Sequence, residues 1–244
     1  MAKRLKLILI LACCISARSS LAAGSSEDWL PSPYWGIGII GPAKAEMISF
    51  PEKAIWLYDS PAGRRKYVIW KAREDQVAFG PKKGIIVGIV NPNDWIEVTY
   101  EGVCLKYYRQ KDEYIQILIH YSPKGFWISA KELQKVGFNI VDWKSFLLAG
   151  KSGYYPAVAE KGLILREEPS IESAGIISLE FEGPEDYMIT LTGKTEGLWA
   201  EVNVTTNGFY PCGDAKVKKR NYSGWVKLLD DKGFPNIWFY TRGC

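Results

Sequence analysis

Few side chains in this chain could carry out covalent catalysis. His120 is the one histidine among 244 residues, and a cysteine hydrolase would need it close to a thiolate. Cys104 lies in the segment EGVCLKYY, whose apolar residues alternate as in a strand, so we interpret it as a buried thiol. We interpret His120 as a polar residue at the end of a strand. The sequence therefore predicts no catalytic pair of a cysteine nucleophile and a histidine base.

Carboxylates are the other candidates for acid and base chemistry. Two adjacent pairs, Glu167 with Glu168 and Glu185 with Asp186, could flank a glycosidic bond. With 27 acidic residues in the chain, however, some adjacency is expected by chance. The sequence contains no C-x-x-C, H-E-x-x-H, Asp-rich calcium loop or G-x-S-x-G pattern. We predict a protein that is not an enzyme and holds no metal or cofactor.

Residues 36–41 read GIGIIG and match the G-x-G-x-x-G pattern of dinucleotide-binding proteins. That site needs a strand before the glycines and the N-terminus of a helix after them. Here Pro31 and Pro33 precede the match and Pro42 follows it. We therefore treat the match as accidental and predict a loop across residues 27–44.

The N-terminus has the pattern of an export signal. Basic residues in the first six positions are followed by an apolar run, residues 7–14, that is short for a transmembrane helix. The sequence allows two alternative processing sites for this leader. Cleavage after Ala22 would leave a secreted protein, whereas residues 10–13, ILAC, resemble a lipoprotein box in which Cys13 carries a lipid anchor. Either end predicts export to the periplasm or cell envelope.

Removal of a leader ending at Ala22 changes the charge balance. It takes four of the 31 basic residues and none of the 27 acidic ones, so that the mature chain carries equal numbers. A balanced surface argues against a nucleic-acid partner. The basic run at residues 216–220, KVKKR, is interpreted as a solvated loop.

Three cysteines remain beyond the leader, Cys104, Cys212 and Cys244. Export would place them where a disulfide can persist. We predict a Cys212–Cys244 bond, because Cys212 lies in a polar, glycine-containing stretch and Cys244 is the last residue, where a cross-link restrains the terminus. The other two pairings among the three stay open.

Short β-branched and aromatic runs separated by turn residues predict an all-β fold. The predicted strands are residues 67–70, 84–90, 95–100, 114–120, 162–166, 176–179, 187–191, 199–204 and 224–228. A capping box at 129–132 and a segment at 142–148, ending at Gly150, predict two short helices. Residues 148–155 read as a linker.

Landmarks recur in the two halves of the chain. Leu57 and Pro61 are followed by YIQILI and GFWI, and Leu165 and Pro169 by WAEVNV and GWVK. The spacing between landmarks differs, so each copy would carry its own loop insertion, which closure entropy tolerates.

These landmarks resemble the bacterial Src-homology-3 domain, a small barrel of exported and envelope proteins. The segments LILREEPS, WAEVNV and GWV match its L-x-[LV]-R-x-x-P-[ST], W-x-x-V-x-[VL] and G-W-V patterns, and the first half matches less well because Tyr58 replaces the arginine. The resemblance implies two tandem barrels. We expect Trp199 and Trp225 to fill the core of the second barrel, where each aromatic ring contributes a large buried area. Relatives fused to cell-wall peptidases carry a D-C-S-G turn, which this chain lacks. The predicted organisation is a leader (1–22), linker (23–47), barrel (48–148), linker (149–154) and barrel (155–244).

The expected function is a non-catalytic module of the bacterial cell envelope that binds peptidoglycan, a peptide or a protein partner. Ten tryptophans and fourteen tyrosines exceed what two small cores need and suit stacking on such ligands. Two alternatives stay open: a cell-wall hydrolase or its accessory using paired carboxylates, and a structural or inhibitory lipoprotein acting by protein contact. Specificity is expected in the inserted loops, residues 70–112 and 205–223.

Overall fold

The structure is mostly antiparallel β, which confirms the all-β class. The computed structural model describes residues 36–42, 53–73, 76–90, 95–99, 102–119, 122–150, 153–156, 163–179, 187–206 and 219–239. In chain order the elements are β1 (Gly38–Pro42), β2 (Ile55–Tyr58), β3 (Arg65–Arg73), β4 (Gln76–Gly80), β5 (Gly88–Ile89), β6 (Trp95–Thr99), β7 (Gly102–Tyr107), β8 (Arg109–Lys111), β9 (Tyr114–Ile119), β10 (Ser122–Ser129), α1 (Ala130–Lys135), β11 (Phe138–Asp142), α2 (Trp143–Ala149), β12 (Tyr154–Pro156), β13 (Leu163–Arg166), β14 (Gly175–Leu179), β15 (Tyr187–Glu196), β16 (Trp199–Thr206), β17 (Asn221–Lys227) and β18 (Ile237–Phe239). Neither helix in these ranges is long and apolar enough to cross a membrane.

The strands of the described ranges form three sheets. The N-terminal sheet has the order β5-β4-β3-β2-β10-β9-β8, and the C-terminal sheet has the order β14-β13-β17-β16-β15-β12-β18. A smaller middle sheet has the order β11-β1-β7-β6. The strands predicted in the second half and at 67–70, 95–100 and 114–120 are present in the described residues.

The middle sheet is apolar on both faces. Successive side chains of a strand point to opposite faces, and Ile39 and Ile40 in β1 belong to two different cores. Cys104 in β7 joins the core that also contains the C-terminal sheet, whereas Leu105 joins the core of the N-terminal sheet. The two halves of the chain therefore pack against a shared layer.

Helix α2 fastens the middle sheet to the C-terminal sheet. The fully buried indole of Trp143 donates its Nε1–H to the carbonyl of Gly36, at 2.9 Å. Its ring meets that of Trp238 in β18 edge to face, with centroids 5.1 Å apart. Phe146, one turn further along the helix, stacks on the same Trp238 ring. The helix thus contributes aromatic contacts between layers.

The sequence repeat corresponds to a repeated strand order. The neighbours β3-β2-β10-β9-β8 in the first half have the same order as β14-β13-β17-β16-β15 in the second. Tyr58 pairs with Trp127 across β2 and β10, and Arg166 pairs with Trp225 across β13 and β17. The landmark segments therefore occupy matching places in two five-stranded units, and β4 to β7 form the insertion of the first unit.

The loop predicted for residues 27–44 is wrong at Gly38–Pro42, which form β1 between β7 and β11. The prediction took Pro42 as evidence for a loop, but Pro42 occupies the last position of β1 and does not interrupt the strand. The glycines of GIGIIG have a packing role. A Cβ on Gly38 would collide with the Tyr107 ring and the Val141 carbonyl, and Gly36 has a φ of +73° beside the Tyr107 carbonyl.

Two further predictions need correction. Of residues 84–90 only Gly88–Ile89 form a strand, since Gly84 adopts a φ of +92° and Lys82 bridges back to Ile85. The predicted linker at 148–155 runs into β12, whose Tyr154 and Tyr155 are buried and which pairs with β15 and β18. The domain boundaries drawn from that linker stay predictions.

Both predicted helices are present. Asp142 caps α2 by accepting a hydrogen bond from the Ser145 backbone N–H at 2.9 Å, and Gly150 follows the last turn. Ser129 stands at the N-cap of α1, but its side chain makes no capping hydrogen bond. The capping box is therefore wrong as a local contact, and Glu132 bonds elsewhere.

Trp199 and Trp225, expected in the core, lie on the outer face of the C-terminal sheet. Along β16 the core positions are Ala200, Val202 and Val204, so Trp199 points the other way. Trp225 is opposite Glu201 and next to the core residue Val226. It is buried by neighbours on that outer face rather than by the core. The tryptophans that fill the shared core are Trp143 and Trp238.

The shared core predicts that Trp143 stabilises the whole protein. Trp143→Ala should lower the free energy of unfolding by about 3–5 kcal/mol, as expected for a large buried aromatic side chain. Urea titrations followed by circular dichroism measure this loss. Trp199→Ala, at a half-exposed outer position, is the control and should cost about 1 kcal/mol. Equal losses for the two variants would contradict the assignment.

Candidate functional site

Several residues singled out from the sequence fall outside the described ranges. These are His120, Cys13 and both members of the predicted disulfide, Cys212 and Cys244. The lipid anchor and the disulfide therefore stay predictions. Cys104 is described, and it is a buried free thiol in β7, as its alternating neighbours predicted.

The environment of Cys104 disfavours a thiolate. Its side chain lies in the apolar core shared by the middle and C-terminal sheets. Burial raises the pKa of the thiol to about 11, well above the range in which a cysteine acts as a nucleophile at neutral pH. Cys104 is therefore a packing residue of this core.

The paired carboxylates Glu167 and Glu168 lie in the exposed turn after β13. Backbone hydrogen bonds shape this turn, from Glu167 N–H to the Ala174 carbonyl and from Glu168 N–H to Ser173 Oγ. The second pair, Glu185 and Asp186, lies outside the described ranges. In those ranges no group of three or more His, Cys, Asp or Glu side chains could hold a metal ion.

A polar and aromatic group on the outer face of the N-terminal sheet is the best-defined candidate site. We call it the Arg65 cluster, and it consists of Trp56, Tyr58, Arg65, Tyr114 and Glu132. Alternation along β2 sends Ile55 and Leu57 into the core and Trp56 and Tyr58 outward. Strand β3 supplies Arg65, β9 supplies Tyr114 and α1 supplies Glu132.

Glu132 connects the members of the Arg65 cluster. Its Oε2 accepts the backbone N–H of Trp56 at 3.2 Å, and its Oε1 accepts the Tyr58 hydroxyl at 2.9 Å. The Nη2 of Arg65 lies 3.7 Å from the same Oε1. One carboxylate thus ties the first turn of α1 to β2 and orients the guanidinium.

Trp56 and Tyr58 contact the Arg65 side chain on one side. Its central carbon lies 5.1 Å from the centroid of the Trp56 ring, within the range of a cation–π contact. Arg65 Nε lies 3.4 Å from the Tyr58 hydroxyl oxygen. Tyr58 meets Tyr114 edge to face, with centroids 5.5 Å apart. The Arg65 side chain is nevertheless 57% exposed, so its outward donors face solvent.

Electrostatics keep Tyr58 protonated. Burial raises the pKa of the phenol, the hydrogen bond with Arg65 lowers it, and the Glu132 carboxylate raises it again. The net shift is upward. Tyr58 is thus a hydrogen-bond donor to Glu132 at neutral pH, and the cluster presents a fixed cation with aromatic faces.

A second outer-face group lies in the C-terminal unit. We call it the Lys194 cluster, and it consists of Thr192, Lys194, Glu201 and Trp225. The ammonium of Lys194 lies 4.9 Å from the centroid of the Trp225 ring and 3.5 Å from Glu201 Oε1. Thr192 Oγ1 donates to Glu201 Oε2 at 2.9 Å. Both units therefore carry a cation over a tryptophan beside a carboxylate.

A scan against models of protein families finds none that matches, and a search of curated proteins finds no significant relative. These comparisons assign no role to the residues of the Arg65 cluster.

Sequence reasoning missed both clusters. Glu132 was noticed as part of a capping box, but its partners Trp56 and Tyr58 are more than 70 positions away. The one sequence signal was alternation in AIWLYDS, which separates Trp56 and Tyr58 from the core residues of β2.

The contacts of Glu132 predict a stability role that a surface carboxylate would lack. Glu132→Ala should lower the free energy of unfolding by about 1–3 kcal/mol, because the Trp56 N–H and the Tyr58 hydroxyl lose their acceptor. Chemical denaturation measures the loss. The control is Glu113→Ala, which removes the exposed ion pair with Lys131 and should cost under about 1 kcal/mol. A smaller loss for Glu132→Ala than for the control would contradict this role.

The thiol of Cys104 predicts a pH dependence of stability. The folded state favours the neutral thiol, so the unfolded chain loses this proton first, from its ordinary pKa of 9.0 upward. The contribution of this thiol to the free energy of unfolding should fall by up to about 2 kcal/mol as the pH rises from about 9 to about 11. Urea titrations across this range measure the slope.

Cys104→Ala is the matched variant for this slope. It should remove the part of the decrease that begins near pH 9, while Tyr107 and Tyr154, whose pKa values burial raises from 10.0 to about 12, still lower the stability from about pH 10 upward. A thiol reagent at pH 8 should label the folded wild type and variant equally. Extra labelling of the folded wild type would show an accessible thiol.

Proposed function

We propose that this protein is a non-catalytic binding module exported to the bacterial cell envelope, and that it binds peptidoglycan through the Arg65 cluster. The observation that carries the proposal is the guanidinium of Arg65. It is fixed by Glu132, Tyr58 and Trp56 and still has more than half of its side chain exposed. Such a group is preorganised to receive a ligand.

The chemistry of peptidoglycan suits this arrangement. Its stem peptides carry carboxylates, which a guanidinium binds through paired N–H donors. Its sugar rings have apolar faces that pack on indole and phenol rings. Trp56 packs against a small apolar cluster of Val68, Trp70 and Ala78. This packing restrains the orientation of the indole ring.

The two five-stranded units support an assignment to tandem bacterial Src-homology-3-like domains. The second unit contains the three segments that resemble this family, and the first repeats its strand order. Under this assignment β4 to β7 are an insertion in the first barrel. Export by the leader, with cleavage after Ala22 or lipidation of Cys13, would bring the module to its ligand.

Binding to purified cell-wall sacculi tests the proposal. The wild type should co-sediment with sacculi, and Arg65→Ala should weaken the affinity about tenfold, the value of a charge-assisted hydrogen bond. Added salt should weaken wild-type binding as well. Soluble fragments released from the sacculi would contradict the non-catalytic assignment.

The matched control is Arg73→Ala, which removes an exposed arginine at the other end of the same strand, β3. It should bind sacculi like the wild type. Arg65→Lys separates charge from geometry, and we expect intermediate binding because an ammonium lacks the paired donors. Equal binding by Arg65→Ala and wild type, or failure of the folded wild type to sediment, would overturn the proposal.

A further inference from the structure

Residues 82–89, which we call the 82–89 loop, expose an unusual amount of apolar surface. Its exposed apolar side chains are Ile85, Ile86, Val87 and Ile89, with 46%, 55%, 58% and 42% of their surface accessible. In the described ranges only Ile164, Ile171 and Ile176 are comparable, and they lie in the C-terminal unit. Contiguous exposed apolar surface of this kind marks an interaction site.

The backbone of the 82–89 loop is held in place. Val87 N–H donates to the Phe79 carbonyl at 2.9 Å, and Val90 N–H donates to the Val77 carbonyl at 2.8 Å. Ile85 N–H closes a tight turn onto the Lys82 carbonyl at 3.1 Å. The apolar side chains thus project from a turn that continues from β4 and is held by hydrogen bonds. Binding therefore costs little backbone conformational entropy.

The fold leaves the apolar side chains of this loop uncovered. Ile85, Ile86 and Val87 are consecutive, and each has about half of its surface accessible to water, so no side of the turn is shielded by the rest of the protein. A protein partner with a flat surface would cover one side of the loop and leave the other apolar side chains exposed to water. A medium that surrounds the whole loop, such as the boundary of a lipid bilayer, removes all three from water.

Charge around the loop favours an anionic surface. Lys82 and Lys83 are exposed at its start. Lys66 is exposed on β3 two positions before Val68, which pairs with Gly80 next to the loop. No acidic residue occurs from position 76 to position 90. Amino groups at the base of an apolar tip match anionic headgroups above an acyl layer.

We propose that the 82–89 loop inserts into the surface of an anionic lipid membrane, with Ile86 and Val87 at the acyl boundary and Lys82 and Lys83 among the headgroups. This goes beyond peptidoglycan binding and uses different residues. The loop lies within the insertion of the first unit, where loops on a rigid sheet carry binding residues.

Vesicle sedimentation tests the proposal with the full chain. Because the leader has an apolar run of its own, variants that share the leader are compared with one another. The wild type should bind vesicles of phosphatidylcholine with a minority of phosphatidylglycerol, and Ile86→Ser/Val87→Ser should weaken this binding at least about tenfold. Circular dichroism checks that the variant is folded.

Two further variants separate apolar from electrostatic contributions. Ile171→Ser removes an equally exposed isoleucine from the C-terminal unit and should bind vesicles like the wild type. Lys82→Gln/Lys83→Gln should lose the preference for anionic over pure phosphatidylcholine vesicles. Unchanged binding by the loop variant, or an equal loss with Ile171→Ser, would overturn the proposal.

The alternative occupant of the 82–89 loop is a second copy of the chain. Sedimentation velocity without lipid detects dimerisation through the loop. A wild type that is monomeric without lipid and binds vesicles through the loop supports insertion. A wild-type dimer that Ile86→Ser/Val87→Ser converts to monomer, with no loop-dependent vesicle binding, would overturn it. The vesicle assay does not depend on peptidoglycan binding. A protein that fails to bind sacculi but binds vesicles through the 82–89 loop contradicts only the proposal for the Arg65 cluster.

Discussion

Burial of both faces of the middle sheet is the constraint on which the rest of the structure depends. A strand such as β1, with Ile39 in one core and Ile40 in the other, is stable only when a layer covers each side. The N-terminal sheet supplies one cover, and α2 with the C-terminal sheet supplies the other. Trp143 sits in the second interface, and its hydrogen bond to Gly36 satisfies a polar group that this burial removes from water.

Within that frame, the two halves reuse one arrangement of five strands. Matching pairs at Tyr58 with Trp127 and at Arg166 with Trp225 fix the first strand of each unit beside its last. The first unit differs because its connection from β3 to β8 is long enough to form β4 to β7. Two strands of this insertion, β6 and β7, enter the middle sheet, so the insertion contributes to the shared core as well as to the exposed surface.

Polar and aromatic clusters lie on the outer faces of the sheets, because the inner faces are occupied by the cores. In each unit a cation lies over a tryptophan beside a carboxylate, at Arg65 with Trp56 and Glu132, and at Lys194 with Trp225 and Glu201. The Arg65 cluster is the more ordered of the two, since Glu132 also accepts a backbone N–H. The 82–89 loop adds an apolar tip at the β5 edge of the same sheet. The two proposals therefore use separate surfaces, a sheet face for the cell wall and a loop for a lipid surface.

The sequence by itself determined the all-β class, most of the strands, both short helices and the buried state of Cys104, because alternation, β-branched residues and caps act over a few neighbouring positions. It also indicated the repeat, whose landmarks coincide with the matching strands of the two units. Only the tertiary structure decided which side of each strand is inward. Trp199 and Trp225 were expected in the core from their size, yet the neighbours Ala200, Val202 and Val226 occupy it. The Arg65 cluster and the role of GIGIIG in the middle sheet depend on contacts between residues far apart in the chain, such as Trp56 with Glu132 and Gly38 with Tyr107. Local patterns carry no information about such contacts, because they exist only after the layers have packed.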